Sequence, residues 1–185
     1  MVFRKDNNGL LYKINVKDEN SFLKAQESGS IEYLKIGSDE LPNLDNRFRE
    51  HFFKIENEKI VLDATRTKEA WVINMQNRLE KHIYNNYSQK KQSQDEKFVS
   101  SYTTKLKAKG VTALEKKIVA MITSFLAGAT LEDILKDVTA EQKPYYEKLI
   151  KVGVRTEWSE NCIVEGKTAI AENREPVYAE FPTFK

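Results

Sequence analysis

Cysteine and histidine are nearly absent from this chain of 185 residues, which has one Cys and two His. A zinc site takes about four such ligands and an internal disulfide takes two cysteines, so neither organises the fold. His51, His82 and Cys162 are also far apart in sequence. We therefore expect no metal and no cofactor, with His51 partly exposed beside a strand, His82 on a helix surface and Cys162 as a buried small side chain.

Glycine is sparse, with seven residues scattered along the chain. The tripeptide Gly166-Lys167-Thr168 has the ending of a phosphate-binding loop, but Asn161 stands where that loop needs its first glycine. Nucleophilic catalysis by Cys162 is disfavoured, because the glutamates nearest to it in sequence would raise the thiol pKa. We expect a protein that is not an enzyme, although the abundant carboxylates leave a glycosidase-like acid pair open.

Long hydrophobic runs are also missing. No segment approaches the about 18 apolar residues of a membrane-spanning helix, and residues 1–8 already include charged side chains. The sequence therefore predicts neither a membrane span nor a secretory signal. Apolar residues nevertheless make up 40% of the chain and include nine Phe, which is enough to form the core of one large domain or two small ones.

Residues 1–63 have the turn and strand patterns of a small α+β module. Asn and Gly tolerate the positive φ of tight turns, and polar clusters separate short apolar runs. The predicted elements are a hairpin of Met1–Arg4 and Leu10–Val16 around residues 6–9, a helix at Ser21–Glu27, a strand at Ile31–Ile36, and a second hairpin within residues 52–62 whose three-residue turn is Glu56-Asn57-Glu58.

Residues 64–109 contain no Pro or Gly and are predicted to be helical. Apolar residues recur at every third or fourth position, first in what we name the seam and then again further on. The seam is Val72, Met75, Leu79, Ile83 and Tyr87, and the second set is Phe98, Tyr102 and Leu106. Residues 88–97 have no apolar side chain. The segment 64–110 is therefore either one long helix with an exposed middle or a helix pair.

Residues 111–172 are predicted to be a helical region with three capping boxes. These boxes are Thr112 with Glu115, Thr130 with Asp133, and Thr139 with Gln142. Beyond Gly153 the pattern fits both a strand and a helix, and residues 173–185 are predicted to be an extended tail. The fold class is thus α+β, a small N-terminal module that contains β-hairpins, followed by a mainly helical region with a long central helix.

The seam and the tail give the first functional hypothesis. An apolar stripe of this length needs a partner, which is either another part of the chain or another molecule. We expect a protein-interaction or assembly component that self-associates or caps a larger assembly, with packing inside the chain as the alternative for the seam. The expected interaction residues are Val72, Met75, Leu79, Ile83, Tyr87, Tyr178, Phe181 and Phe184.

The distribution of charge gives a second hypothesis. The net charge is +2, but residues 81–120 contain nine Lys and only three acidic residues. This pattern is typical of a solvated helix surface, and it also suits phosphate groups, although arginine, the residue best suited to bidentate contacts, is missing there. The alternative function is nucleic-acid binding through Lys90, Lys91, Lys97, Lys105, Lys107, Lys109, Lys116 and Lys117.

A hairpin that ends in Lys59-Ile60-Val61-Leu62, a long polar helix from Thr65 and a tail with Phe181-Pro182-Thr183-Phe184 follow one another in residues 50–185. This order resembles that of small bacteriophage tail accessory proteins of the tail-fibre assembly or adaptor type. The resemblance implies a β module before a helix used in oligomerisation or chaperoning, and a cytoplasmic or virion-associated protein. It assigns no functional residue.

Overall fold

The computed structural model describes residues 2–14, 32–37, 41–42, 44–45, 48 and 50–184. The chain divides into two compact units, Met1–Met75 and Gln76–Lys185. The first contains an antiparallel sheet and the second is mainly helical, so the predicted α+β class is confirmed. The predicted helix at Ser21–Glu27 lies outside the described residues.

The first unit is built on a five-stranded antiparallel sheet in the order β3-β1-β2-β4-β5. Alternation along the strands places the side chains of Phe3, Leu11 and Phe53 in a small apolar core, which also includes Ile36. The strands are β1 (Val2–Lys5), β2 (Leu10–Ile14), β3 (Glu32–Lys35), β4 (Phe53–Glu56) and β5 (Lys59–Leu62).

Both predicted hairpins are confirmed, with one correction at the second turn. In the first turn, Asp6 Oδ1 accepts hydrogen bonds from the backbone N–H groups of Asn8 and Leu10, both at 2.9 Å. In the second, Glu56 pairs with Lys59, so the turn has two residues and the predicted three-residue turn is wrong. Asn57 and Glu58 have φ of 51° and 61°, the conformation that the strand twist favours in two-residue hairpin turns.

Helix α1 (Ala64–Asn86) begins directly after the sheet. Asp63 Oδ1 accepts a hydrogen bond from the N–H of Arg66 at 3.1 Å, and the buried Thr67 hydroxyl accepts one from the N–H of Phe52 at 3.0 Å. The capping carboxylate and this link together fix where the helix starts. The boundary between the two units falls inside α1, between Met75 and Gln76.

The segment 64–110 forms two helices. Helix α2 (Gln89–Ala108) follows α1 after Tyr87 and Ser88, and Ser88 has the extended backbone of a helix N-cap. Most of residues 88–97 are exposed and form the first half of α2, but Asp95 among them is only 2% exposed. The break therefore precedes the polar stretch.

The helical unit continues with α3 (Leu114–Leu126), α4 (Leu131–Leu135) and α5 (Lys143–Ala171). Only one of the three predicted caps is confirmed, where the Thr130 hydroxyl accepts a hydrogen bond from the Asp133 N–H at 3.1 Å. Helix α3 starts instead after Ala113, which has a left-handed backbone, and α5 starts after Gln142, which gives no side-chain cap. The core residues are Leu106, Leu114, Leu135, Tyr146, Leu149, Ile150 and Val154.

The chain beyond Gly153 is helical, so the strand alternative is wrong. A Cβ at Gly153 would lie 2.1 Å from Cδ1 of Ile122, so α3 packs closely on α5 there and a larger residue would force the Ile122 side chain to move. Glycine thus serves packing within the helix and does not end it. No described helix is long and apolar enough to cross a membrane.

Candidate functional site

The C-terminal tail turns back along α5 after a defined helix end. Asn173 has φ of 52°, and the N–H of Arg174 donates to the carbonyl of Ala169 at 3.0 Å. This is the hydrogen-bond pattern of a Schellman motif, in which Asn commonly replaces glycine at the left-handed position. Residues 175–184 then belong to no helix or strand.

An ion pair at the start of the tail holds it to α5. The Arg174 guanidinium donates from Nη1 to Glu165 Oε1 at 2.6 Å and from Nη2 to Oε2 at 3.0 Å. The N–H of Val177 donates to the same Oε1 at 2.8 Å. These donors, with Arg174 first, lower the pKa of Glu165 to about 2. Arg78 of α1 adds an ion pair with Glu175 at 2.7 Å.

The middle of the tail packs on aromatic side chains. Trp158 Nε1 donates to the carbonyl of Ala179 at 2.9 Å, and the Phe181 ring meets the Trp158 ring edge-on at 5.0 Å. Tyr178 stacks on His82 at 4.5 Å between ring centroids. We name the surface beneath these residues the tail groove, which consists of Leu79, Ile83, Tyr87, Trp158 and Cys162.

The end of the tail reaches a different helix. The Phe184 ring lies 5.6 Å from that of Phe125 in α3, and the ammonium group of Lys151 lies 5.7 Å from its centroid. Phe184 thereby joins the core cluster of the helical unit. The tail is held at both ends and at its middle.

The seam and the tail, predicted separately as interaction residues, meet within the chain. Leu79, Ile83 and Tyr87 form one wall of the tail groove, while Tyr178 and Phe181 fill it. Leu79 also packs against Gly166, where a Cβ would lie 2.7 Å from Leu79 Cδ2. Val72 and Met75 lie in the first unit, Val72 half-buried and Met75 only 2% exposed. That these residues also serve contacts with other molecules stays a prediction.

The histidines and the cysteine have ordinary surroundings, with one correction. Cys162 is buried as predicted, and it is burial that raises its pKa. His51 is half-buried, with Nε2 at 2.9 Å from the carbonyl oxygen of Asp45. His82 does not lie on an open helix surface: its Nε2 is buried without a hydrogen-bond partner among the described residues, and its ring lies against Tyr178 and Trp158. In the described part of the chain, no group of three or more potential ligands is placed to hold a metal ion.

A buried ion pair that the sequence analysis missed joins α2 to α5. Asp95 Oδ2 accepts hydrogen bonds from Nε and Nη2 of Arg155 at 2.8 and 2.5 Å, and from the hydroxyl of Tyr87 at 3.0 Å. Burial, followed by the charge of Asp95, raises the pKa of Tyr87. A sequence signal existed, because Asp95, Phe98, Tyr102 and Leu106 step by three or four residues, which places Asp95 on the inward face of α2.

A groove of about 490 Å³ lies beside this ion pair, and Asp95, Glu96 and Glu160 contribute to its walls together with several hydroxyl side chains. This is the kind of pocket that an acid–base enzyme would need, so the enzyme hypothesis stays open. The carboxylate of Asp95, however, already accepts hydrogen bonds at Oδ2 from Arg155 and Tyr87, so that oxygen is not free to contact a substrate.

The eight predicted lysines are exposed, but they are not equivalent. Lys107 pairs with Glu115 at 3.6 Å, Lys109 pairs with Glu141, and Lys91 lies 5.4 Å from the Phe181 centroid. Lys105 and Lys117 lie over tyrosine rings. Within the described chain, Lys90, Lys97 and Lys116 have neither an acidic nor an aromatic partner. A lysine outside the predicted set, Lys148, lies 4.4 Å from the Phe98 centroid.

Comparison with family models, with curated proteins and with solved structures finds no match for this chain.

Proposed function

We propose that this protein is a non-enzymatic interaction or assembly component that associates with further copies of itself. The observation that carries the proposal is the tail groove, since one chain contains both an aromatic segment and the surface that fits it. Exchange of such a segment between identical chains forms a dimer without any new kind of contact. We include in this proposal that the protein belongs to the small bacteriophage tail accessory class, because the order of its secondary-structure elements resembles that of such proteins.

The geometry of the tail favours exchange. Tyr178 and Phe181 contribute large apolar area, and Trp158 fixes the register through its hydrogen bond to the Ala179 carbonyl. The ion pair of Glu165 with Arg174 is partly exposed, so solvent weakens it, although it still contributes to holding the start of the tail. The tail can thus leave its own groove at a moderate cost in free energy and bind the same groove in another chain. Protein concentration then determines whether the tail binds within its own chain or between two chains.

Light scattering over a concentration series tests the proposal. We expect the mass of the wild-type protein to rise above the 21.5 kDa of one chain as concentration increases. Leu79→Asp, which places a charge in the groove, and removal of residues 176–185 should each keep the protein monomeric. Tyr84→Asp is the matched control, because Tyr84 lies on the same helix and is 63% exposed. A wild-type protein that stays monomeric at all concentrations would contradict the proposal.

A further inference from the structure

The lysines of α2 are concentrated on one side of that helix. Lys90, Lys97 and Lys105 are separated by seven and eight residues, which places them on a common side over about 22 Å of helix. Lys148 of α5 reaches the same side, because its ammonium group lies over the ring of Phe98. We name these four residues the basic edge. Within the described chain, none of the four is paired with a carboxylate.

The charge of the basic edge is not balanced by its own helix. The two acidic residues of α2 are Asp95 and Glu96. Asp95 is buried and paired with Arg155, and Glu96 lies about 100° around the helix from Lys97 and lines the groove beside that ion pair. The basic edge therefore presents an uncompensated row of positive charge, which attracts a polyanion.

Three aromatic rings lie among these lysines where α2 meets α5. The rings of Phe98 and Tyr102 stack at 5.7 Å, and Tyr145 of α5 meets Tyr102 edge-on at 5.2 Å. All three side chains are half-buried. The ammonium group of Lys105 lies 5.5 and 5.8 Å from the two tyrosine centroids. Tyr102 and Tyr145 also pack against the core of the helical unit, while flexible lysine side chains lie over the rings.

We propose that the basic edge with its three rings binds single-stranded nucleic acid. Stacking of a base on an aromatic ring is stronger than an exposed cation–π contact, so a base can displace the ammonium group from a ring. The displaced lysine then lies beside the phosphate that follows the base. An acidic protein surface would use the charges but not the rings. The absence of arginine from the edge predicts binding without base specificity.

Fluorescence anisotropy of the full-length protein with a labelled 20-nucleotide oligo(dT) tests this inference. With four phosphates neutralised, the slope of log K against log salt should be about −3. An abasic oligomer of equal length and charge should bind at least about tenfold more weakly if the rings contribute. No binding at low salt, or equal binding of the abasic oligomer, would overturn the proposal. Displacement of the oligonucleotide by poly-glutamate of equal charge would instead assign the edge to acidic proteins.

Matched variants locate the binding surface. Lys97→Glu/Lys105→Glu should weaken oligo(dT) binding at least about tenfold and reduce the salt slope by about half. Lys116→Glu/Lys117→Glu, an equal change of charge on exposed lysines of α3, should weaken binding by less than about threefold. Equal losses in the two variants would mean that net charge alone attracts the oligonucleotide, which would overturn the site. Far-ultraviolet circular dichroism of each variant confirms that the helices are retained.

Discussion

The tail groove and the basic edge are two surfaces of the same helical unit with opposite chemistry. The groove is aromatic, and the chain's own tail fills it through Tyr178 and Phe181. The basic edge is charged, and no other segment of the described chain covers Lys97 or Lys90 with a carboxylate. The difference shows that an apolar stripe in a sequence predicts a binding surface, but not whether that surface binds another part of the same chain or another molecule. A row of lysines without acidic partners, in contrast, contributes little to the stability of the fold.

The largest effect on stability is expected at the buried ion pair of Asp95 with Arg155, which joins α2 to α5. Arg155→Ala leaves Asp95 buried without its counter-charge, which should lower the free energy of unfolding by about 3–5 kcal/mol in urea denaturation. Replacing both partners, as in Asp95→Leu/Arg155→Met, should recover most of this loss because no buried charge remains. A loss below about 1 kcal/mol in the single variant would mean that water solvates the pair.

The next effect tests whether the seam packs inside the chain. Gly166→Ala forces its new Cβ against Leu79, at a cost of about 1–3 kcal/mol, and regains about 1 kcal/mol of helix propensity. We therefore expect a net loss of about 1 kcal/mol by urea denaturation, from the difference of these terms. In a Leu79→Ala background the same substitution should become stabilising, because the clash is gone. An unchanged sign would contradict the contact.

Acidification should loosen the tail through the loss of the Glu165 ion pair. The pKa of Glu165 is about 2 in the folded protein, below the 4.5 of the unfolded chain. Its carboxylate therefore stabilises the tail above about pH 4.5, and this contribution is lost as the pH falls through about 2. Fluorescence of Trp158 in a Trp71→Phe background should report the change, which Glu165→Gln should remove. If wild type and Glu165→Gln respond identically to pH, the ion pair does not hold the tail.

The smallest effect on stability is expected at the basic edge. Lys97→Glu and Lys105→Glu should each change the free energy of unfolding by less than about 0.5 kcal/mol, because exposed side chains without buried partners rarely do more. Thermal denaturation of the two variants beside wild type measures this. A larger loss would show that the lysines of the basic edge stabilise the fold, and the contrast between the two surfaces would disappear.

The sequence predicted much of the fold because local chemistry determined it. Asp6 and Gly9 produced the first turn, and Thr130 with Asp133 produced a real cap. Prediction failed where distant contacts decided the outcome. The pattern beyond Gly153 fitted both a strand and a helix, yet this glycine lies inside α5, where Ile122 packs closely against it. Thr112 resembled a cap, yet the chain enters α3 through the left-handed backbone of Ala113.

The candidate site could be predicted in its parts but not in its arrangement. The spacing of Leu79, Ile83 and Tyr87 indicated an apolar face, and Phe181 indicated a tail that docks. Nothing in either pattern indicated that one fits the other, because they are about 100 residues apart and meet only through the reversal after α5. Asp95 escaped notice because a carboxylate in a polar stretch is normally solvated.

The central claim is that the tail and the groove form one complementary pair that can also close between two chains. Mixing two defective chains tests it most directly: Leu79→Asp, which keeps the tail but not the groove, and a chain lacking residues 176–185, which keeps the groove but not the tail. By light scattering, each should be monomeric alone, and the mixture should form a species with the mass of two chains. A mixture that stays monomeric at every concentration would contradict the account.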